Sequence, residues 1–289
     1  PYRPVLSPTV QTEPPEPGAP QYVAIGHVCV DELVDAPPRL GGTVFFSSAQ
    51  AATMGCRVTV VTSCTPDVAT DAAAALPAGT ALQVHDTGRD TRFGFGPDAA
   101  DGPQRLLSVA APIDSFATEG RPDILHLAPV FNELTPNLVA TARERARFVG
   151  ATPQGLLRGT DADGGLVFLA DNWPERHDFA DAIVLNDEEY EHLHGIGLLD
   201  RFDGLVFRTL GPAGAALLRR GDEIARHELA PDERTVPPRR TIGAGDVFAA
   251  AAFVSLARGD SPGDALRIAV DSATGYVRRP TDTPAFVAS

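Results

Sequence analysis

Short apolar runs alternate along this chain with segments whose apolar residues recur at helical spacing. The predicted strands are Tyr22–Gly26, Arg57–Thr62, Ile124–Leu127, Ala182–Leu185, Leu205–Thr209 and Ala215–Arg219. The predicted helices are Ser47–Met54, Asp67–Leu76, Asn137–Arg147, Asp246–Leu256 and Asp264–Tyr276. Brief apolar strands that alternate with helices are typical of a mostly parallel sheet covered on both faces. The pattern therefore predicts one α/β domain.

Two segments depart from this alternation. Arg92–Phe95 and Gln104–Ala110 flank the turn-rich loop 97–102, and this arrangement predicts a β-hairpin outside the main sheet. Residues 1–20 contain seven prolines and little apolar periodicity, so we expect an extended arm that precedes a folded body over 21–289.

Composition narrows the functional classes. All 24 basic residues among the 289 are arginine, and the formal net charge is −14. The absence of lysine excludes a P-loop NTPase, Schiff-base catalysis and the lysine of a protein-kinase site. The acidic balance argues against a nucleic-acid partner, because phosphate contacts need clustered basic charge.

Cysteine content and hydropathy bear on the compartment. Cys29, Cys56 and Cys64 are odd in number and lack C-x-x-C spacing, so a disulfide framework and a zinc site are both disfavoured. The longest apolar run, Val247–Val254, is too short to span a membrane, and the N-terminus has no signal-peptide pattern. These features predict a cytoplasmic protein that does not enter a membrane.

The main chemical signal is the run Thr241-Ile-Gly-Ala-Gly-Asp246 directly before a predicted helix. The glycines permit a tight turn, and the free N–H groups and dipole of the helix start favour phosphate. A carboxylate repels such an anion, so Asp246 is better explained as a base that accepts a proton from an attacking hydroxyl. Spacing alone leaves open that Asp246 is only an N-cap. A dinucleotide-binding turn fits less well because Phe248 stands where its third glycine would be.

This run resembles the D-T-x-G-A-G-D signature of the ribokinase-like (PfkB) carbohydrate kinases. Further elements in family order are Gly26-His-Val-Cys-Val-Asp31, the pair Gly41-Gly42, Asn186-Asp-Glu-Glu189 and Thr209-Leu-Gly211-Pro-Ala-Gly214. Together they cover roughly residues 22–280. The resemblance implies a three-layer α/β/α domain with a central, mostly parallel sheet and a small β lid. It also implies ATP and Mg²⁺ as cofactors.

The resemblance assigns expected roles to individual residues. Asp246 would be the catalytic base, and Gly243, Ala244 and Gly245 would form the anion hole. Asp31, Gly41, Gly42 and Phe46 would bind substrate, and Asn186 and Glu189 would order the metal through water. Thr209, Gly211, Gly214, Thr241 and Arg158 would contact the nucleotide. Without the resemblance, Asp31 could cap a loop, Asn186 and Glu189 could simply begin a helix, and Arg158 could be an exposed charge.

The resemblance also explains the hairpin. Segments 32–42 and 86–111 occupy the places of the family's lid, which in some members is also a dimer interface. Two residues depart from the pattern: Arg240 replaces the first signature aspartate, and Phe46 stands where many members have asparagine. The first departure leaves metal handling open, with Arg240 either at the nucleotide or in solvent. The second favours a non-ribose substrate, and residues 41–47 and 154–158 are similar to the inositol-kinase-like branch.

The leading hypothesis is an ATP-dependent kinase of a small sugar, polyol or cyclitol. A nucleoside kinase of the same fold is a second hypothesis, since Phe45 and Phe46 could stack on a base. A third is a ligand-binding or regulatory protein that has lost efficient transfer, which Arg240 motivates.

Overall fold

The computed structural model describes residues 18–34, 36–96, 104–230 and 241–279. Most of the proline-rich arm, the loop 97–102 and Arg240 therefore lie outside the described residues. The described part forms a large sheet, a small sheet, a two-stranded ribbon and six helices.

Nine strands form the large sheet. They are β1 (Gln21–Ile25), β4 (Arg57–Cys64), β5 (Ala81–Asp86), β8 (Ile124–Leu127), β9 (Phe148–Ala151), β12 (Ala182–Asn186), β13 (Leu205–Thr209), β14 (Ala215–Arg219) and β15 (Asp222–His227). The strand order is β15-β14-β13-β12-β9-β8-β1-β4-β5. Strands from β5 to β13 are parallel, whereas β14 and β15 pair antiparallel at one edge. The carboxyl ends of the parallel strands therefore meet at one rim of the sheet, where ligands of such folds bind.

Helices cover both faces of this sheet. They are α1 (Thr43–Thr53), α2 (Pro66–Ala75), α3 (Pro136–Arg145), α4 (Asp187–Gly195), α5 (Ala244–Arg258) and α6 (Pro262–Arg278). Buried residues of α1, α2, α5 and α6 share one hydrophobic cluster, and those of α3 and α4 belong to another. The three-layer α/β/α architecture predicted from the sequence is confirmed.

The central helix α5 lies unusually close to the sheet. Its run Ala249–Ala252 is fully buried, and a Cβ placed on Gly150 of β9 would lie 2.3 Å from the Phe253 ring. Small side chains on both surfaces make this approach possible. The close packing fixes the helix start at the rim of the sheet.

The small sheet stands apart from the large one. It contains β2 (Cys29–Leu33), β3 (Ala36–Gly41), β6 (Thr91–Phe95) and β7 (Gln104–Ser108) in the order β3-β2-β6-β7. Its β6–β7 pair is the predicted hairpin, and the other predicted lid segment, 32–42, contains β3 and the end of β2. The ribbon of β10 (Arg158–Thr160) and β11 (Leu166–Phe168) lies beside β7.

The predicted elements differ from the structure mainly at their ends. Helix α1 begins at Thr43 rather than Ser47, because Gly42 adopts φ +94° and starts the helix directly after β3. Within the described ranges, no helix is long and apolar enough to cross a membrane.

Candidate active site

The glycine-rich turn before α5 is the centre of the candidate site. Gly243 precedes the helix with φ +87°, a left-handed conformation that favours glycine. A Cβ at this position would lie 2.6 Å from the Phe46 ring. The turn therefore needs glycine for two independent reasons, its backbone conformation and its contact with α1.

The amide groups of this turn do not have equal freedom. Ala244 N–H donates a 3.0 Å hydrogen bond to the Thr241 carbonyl oxygen, so it is not available to an anion in this arrangement. The N–H groups of Gly243 and Gly245 have no backbone partner among the described residues. The predicted three-residue anion hole is corrected accordingly: Gly243 and Gly245 have open donors, and Ala244 instead closes the turn.

Asp246 lies in the first turn of α5, where its carboxylate is largely withdrawn from water. Burial raises the pKa of Asp246 to about 7, although interactions with the Thr43 hydroxyl and the Arg158 guanidinium oppose the rise. Glu189 and Asp31 raise it further by like-charge repulsion. A carboxyl group with a pKa near neutrality can exchange a proton at physiological pH.

A cavity of about 240 Å³ opens between the turn and the small sheet. We call it the small-sheet cavity. Its lining includes Asp31, Thr43, Gln154, Arg158 and Asp246. Three aromatic rings (Phe46, Phe93 and Phe95) complete the wall. Carboxylate, hydroxyl, amide and guanidinium groups thus converge on one enclosed space, which is typical of a site for a small polar ligand.

Asp31 is almost fully buried at the floor of the small sheet. Its Oδ2 lies 3.7 Å from Arg39 Nε of the paired strand β3. Burial raises the pKa of Asp31 to about 6, and the Arg39 charge lowers it in part. A Cβ at Gly41 would come within 2.5 Å of Asp31 Oδ2, so the first glycine of the pair leaves room for this carboxylate.

Arg158 brings a positive charge into the same cavity. Its Nη1 donates a 3.0 Å hydrogen bond to the Val130 carbonyl oxygen, and its guanidinium lies 5.8 Å from the centre of the Phe93 ring. Burial lowers the pKa of Arg158, while the carboxylates of Glu189, Glu133 and Asp246 oppose that shift. The guanidinium therefore balances a cluster of buried acidic groups.

A second cavity, of about 370 Å³, lies on the other side of the turn between α5 and α6. We call it the helix cavity. Thr209, Gly211 and Gly214 form one side of it, and Phe248, Val270, Ala273 and Val277 give it an apolar wall. Thr241 and Gly245 line both cavities. The glycine-rich turn thus separates a polar chamber from a largely apolar one.

Asn186 and Glu189 lie at the start of α4. Asn186 Oδ1 accepts from the Glu189 N–H at 2.8 Å, and Glu189 Oε2 accepts from the Asn186 N–H at 2.9 Å. This reciprocal capping box is the helix-start interpretation that the sequence left open. Burial raises the pKa of Glu189, and Arg158 lowers it in part.

The side-chain oxygen atoms of Asn186 and Glu189 are also of the kind that Mg²⁺ binds. Asn186 lines the helix cavity, and Glu189 Oε1 makes no hydrogen bond within the described residues. Oxygen donors suit Mg²⁺, which usually keeps several waters and binds few protein ligands directly. No group of three or more His, Cys, Asp or Glu side chains in the described part of the chain could hold a metal alone. The pair therefore fits contact through water.

Comparisons with known proteins agree with this arrangement. The model of the family described as pfkB family carbohydrate kinase matches residues 166–285. This match spans less than half of the chain and identifies a PfkB family domain in its C-terminal part. The matched segment contains the capping pair, the Thr209–Gly214 turn and Asp246. No curated protein gives a significant match.

Solved structures of PfkB-type kinases share the fold. A pyrophosphate-dependent kinase in the ribokinase family, complexed with a pyrophosphate analog and myo-inositol, is 22% identical with a TM-score of 0.75, covering 90% of this chain and 96% of its own. Ribokinase from Arabidopsis thaliana, complexed with ribose and ATP, is 19% identical with a TM-score of 0.68, covering 93% and 96%. Adenosine kinase from Sinorhizobium meliloti is 16% identical with a TM-score of 0.65, covering 92% and 97%.

Most of the residues predicted for the PfkB site lie around the two cavities, but some positions differ from expectation. Asp31 lies on β2 of the small sheet and not on the first strand. Arg158 lines the small-sheet cavity, whereas the other residues predicted for the nucleotide, Thr209, Gly211, Gly214 and Thr241, line the helix cavity. Arg158 is also half-buried rather than a surface charge.

The sequence analysis did not identify several residues of the candidate site. Thr43 and Gln154 are hydrogen-bonded to each other across 2.6 Å and lie against the small-sheet cavity. Tyr276 donates to the Ile242 carbonyl oxygen at 2.9 Å and meets the Phe46 ring edge-on, so it supports the turn from α6. The position of Thr43 directly after Gly41-Gly42 was the available signal, since the helix start there points into the cavity.

Proposed function

We propose that this chain is an ATP-dependent phosphotransferase that phosphorylates a hydroxyl of a small polyol, with a cyclitol as the favoured class. The observation that carries the proposal is the position of Asp246 and the Gly243–Gly245 turn between two cavities of different character. Phosphoryl transfer needs a donor and an acceptor aligned across one point. The turn is the only stretch of the described residues that lines both cavities.

In this mechanism the acceptor binds in the small-sheet cavity with its hydroxyl against Asp246. The Asp246 carboxylate accepts the hydroxyl proton as the oxygen attacks the terminal phosphoryl group of ATP. The new O–P bond forms as the bond to the bridging oxygen of the β-phosphate breaks, and ADP is the leaving group. The N–H groups of Gly243 and Gly245, with the positive end of the α5 dipole, stabilise the charge on the transferred group. Arg158, the one basic side chain among the described residues that line the small-sheet cavity, supplies a local positive charge.

Mg²⁺ would be held through water by Asn186 and Glu189. When bound, the metal neutralises phosphate charge and orients the donor. The capping box fixes both side chains at the start of α4, so this chain's own contribution is a rigid pair of oxygen donors, of which Asn186 lines the helix cavity.

The helix cavity supports ATP as the donor. Its apolar wall on α5 and α6 offers a surface for an adenine ring, and the Thr209–Gly214 turn offers backbone groups to the sugar and phosphates. The kinase structure solved with a pyrophosphate analog shares this fold, so pyrophosphate is the donor to test against ATP. Pyrophosphate has no apolar surface that could pack against this wall, whereas ATP has an adenine ring. The apolar wall therefore favours ATP as the donor.

The small-sheet cavity supports a compact, hydroxyl-rich acceptor. Its volume of about 240 Å³ lies below the range of about 300–1,000 Å³ usual for drug-sized ligands. Asp31, Gln154 and Arg158 can pair with hydroxyl groups on different sides of a ring. A cyclitol presents hydroxyls all around its ring and so matches this distribution.

The first experiment is a substrate panel with a catalytic variant. Inositols, hexoses and nucleosides are each incubated with ATP or pyrophosphate, and phosphorylated product is quantified. We expect a cyclitol with ATP to be best, and Asp246→Asn to lower the rate by about 10²–10⁴-fold because the base is lost. An Asp246→Asn rate equal to wild type would overturn the role of the base. No transfer with any pair would favour a ligand-binding protein.

A nucleoside kinase is the second candidate. The rings of Phe46, Phe93 and Phe95 line the small-sheet cavity and could stack on a base. Phe45, in contrast, is buried and does not line it. A nucleoside that outperforms every polyol in kcat/KM would establish this alternative.

A further inference from the structure

A short relay of polar side chains lies beside Asp246 in the small-sheet cavity. Thr43 is the first residue of α1, and its side chain is 1% exposed. Its hydroxyl interacts with the Asp246 carboxylate, and its Oγ1 lies 2.6 Å from Gln154 Nε2. All three side chains line the small-sheet cavity. The proposed mechanism uses Asp246 and leaves Thr43 without a role.

The chemistry of the three groups fixes the direction of this relay. A hydroxyl has one proton to donate and lone pairs to accept with, whereas an ionised carboxylate only accepts. The Gln154 amide N–H₂ donates to Thr43 Oγ1 and so occupies a lone pair of the hydroxyl. The Thr43 proton is therefore left for another acceptor, and the Asp246 carboxylate, whose pKa the Thr43 hydroxyl lowers, lies in the same cavity.

Backbone geometry holds the relay in place. Gly42, with φ +94°, ends β3 and starts α1, and a Cβ on it would come within 2.4 Å of the His27 carbonyl oxygen. Gln154 lies in a short 3₁₀ turn at 153–157, whose Gly155 N–H donates to the Pro129 carbonyl oxygen at 3.1 Å. Both ends of the relay are thus anchored to the rim of the large sheet.

We propose that Thr43 is a positioning residue for Asp246 and that Gln154 sets the direction of its hydrogen bond. This inference rests on the proposed function, because it assumes that Asp246 is the base. The hydroxyl holds one carboxylate oxygen so that the other faces the acceptor hydroxyl, and it keeps the carboxylate ionised. Catalytic hydrogen bonds of this kind tighten when substrate binds.

Other titratable groups interact with Asp246 electrostatically. They are Arg158 on β10, Glu189 on α4 and Asp31 on β2, with Tyr22 on β1, Cys29 on β2 and Tyr276 on α6 also interacting electrostatically. None of these changes in a Thr43 variant. A shift in the pH profile of such a variant can therefore be assigned to the lost hydroxyl.

The test compares two variants of nearly equal size. Thr43→Val keeps the shape and removes the hydroxyl, whereas Thr43→Ser keeps the hydroxyl and removes a methyl group. We expect Thr43→Val to lower kcat by about 10–100-fold with little change in the acceptor KM. The acid limb of its kcat/KM profile should move up by about one pH unit. Thr43→Ser should keep the acid limb at the wild-type position and recover most of kcat.

A third variant tests the direction of the relay. Gln154→Glu has the same shape, but its carboxylate accepts the Thr43 proton and diverts it from Asp246. We expect the acid limb to move up in this variant as well, because a donor is lost and a negative charge is added. Melting temperatures of all variants show whether each one is folded, and Gln154→Glu still decides the question if Thr43→Val does not fold.

The outcomes separate the two proposals. Wild-type pH profiles in Thr43→Val and Gln154→Glu, together with a large loss in Asp246→Asn, would overturn the relay and leave the base in place. Full activity in Asp246→Asn would overturn the proposed function itself. A loss in Thr43→Val that Thr43→Ser shares equally would show that the residue only packs.

Discussion

The local environment of Asp246 links proposed reactivity to stability. Its carboxyl has a pKa of about 7 in the folded chain, against about 3.9 for an unperturbed aspartate. Between these values the folded state binds more protons than the unfolded state, so the free energy of unfolding falls as pH rises from about 4 to 7. Above neutrality the buried charge destabilises the fold, although the proposed reaction requires that charge.

Asp246→Asn should therefore stabilise the protein at alkaline pH. We expect its melting temperature to exceed that of wild type by several degrees at pH 8 and to differ little at pH 5, where the wild-type carboxyl is protonated. Thermal unfolding of both proteins across pH 5–8 checks this. A constant difference at all pH values would show that the substitution acts through packing and not through the charge.

The start of helix α4 has two properties that substitutions can separate, the capping box and the negative charge of Glu189. In Glu189→Gln the side-chain oxygen can still accept from the Asn186 N–H, so the capping box remains and the negative charge is lost. Glu189→Ala loses both. We expect only Glu189→Ala to lower the free energy of unfolding, by about 1 kcal/mol. Both variants should need more Mg²⁺ for half-maximal activity.

Chemical denaturation and magnesium titration distinguish these effects. A magnesium requirement unchanged in both variants would mean that the pair acts only as a helix cap. An equal loss in the free energy of unfolding in both variants would mean that the buried Glu189 charge itself stabilises the fold through its interaction with Arg158.

The elements also show how far the sequence could predict the structure. Apolar runs predicted six of the nine strands of the large sheet, because burial on both faces leaves an uninterrupted apolar run, but β5, β9 and β15 were not predicted. The sequence pattern also missed β2 and β3, whose pairing depends on contacts with β6, distant in the chain. It also placed Arg158 with the nucleotide, because no local pattern shows that the 3₁₀ turn at 153–157 directs the next residue toward Phe93 and Val130.

Most residues of the candidate site were predicted from the resemblance to a known family, because the glycine spacing before the helix was less specific on its own. Spacing could locate the turn at Gly243–Gly245 but could not show that Ala244 N–H is used to close it. Nor could it show that Thr43 and Gln154, about a hundred positions apart, share a hydrogen bond. Such contacts depend on tertiary packing and have no local signature.

For the whole molecule, the net charge of −14 affects how the substrates arrive. The overall field repels an anionic nucleotide, and salt screens that repulsion. We expect kcat/KM for ATP to rise modestly as ionic strength increases from about 10 to 150 mM at constant free Mg²⁺. The KM of a neutral polyol, measured in the same series, should stay constant. A steep fall in kcat/KM for ATP would show that local arginines dominate the field.

The shared boundary between the two cavities has a consequence for how the proposed kinase activity can diversify. Among the described lining residues, only Thr241 and Gly245 belong to both chambers. Mutations in the small sheet can therefore alter acceptor preference while the donor chamber keeps its shape, and changes on α6 can do the reverse. Specificity for the donor and specificity for the acceptor can therefore evolve independently. The turn before α5 is constrained in both cases, because it lines both cavities.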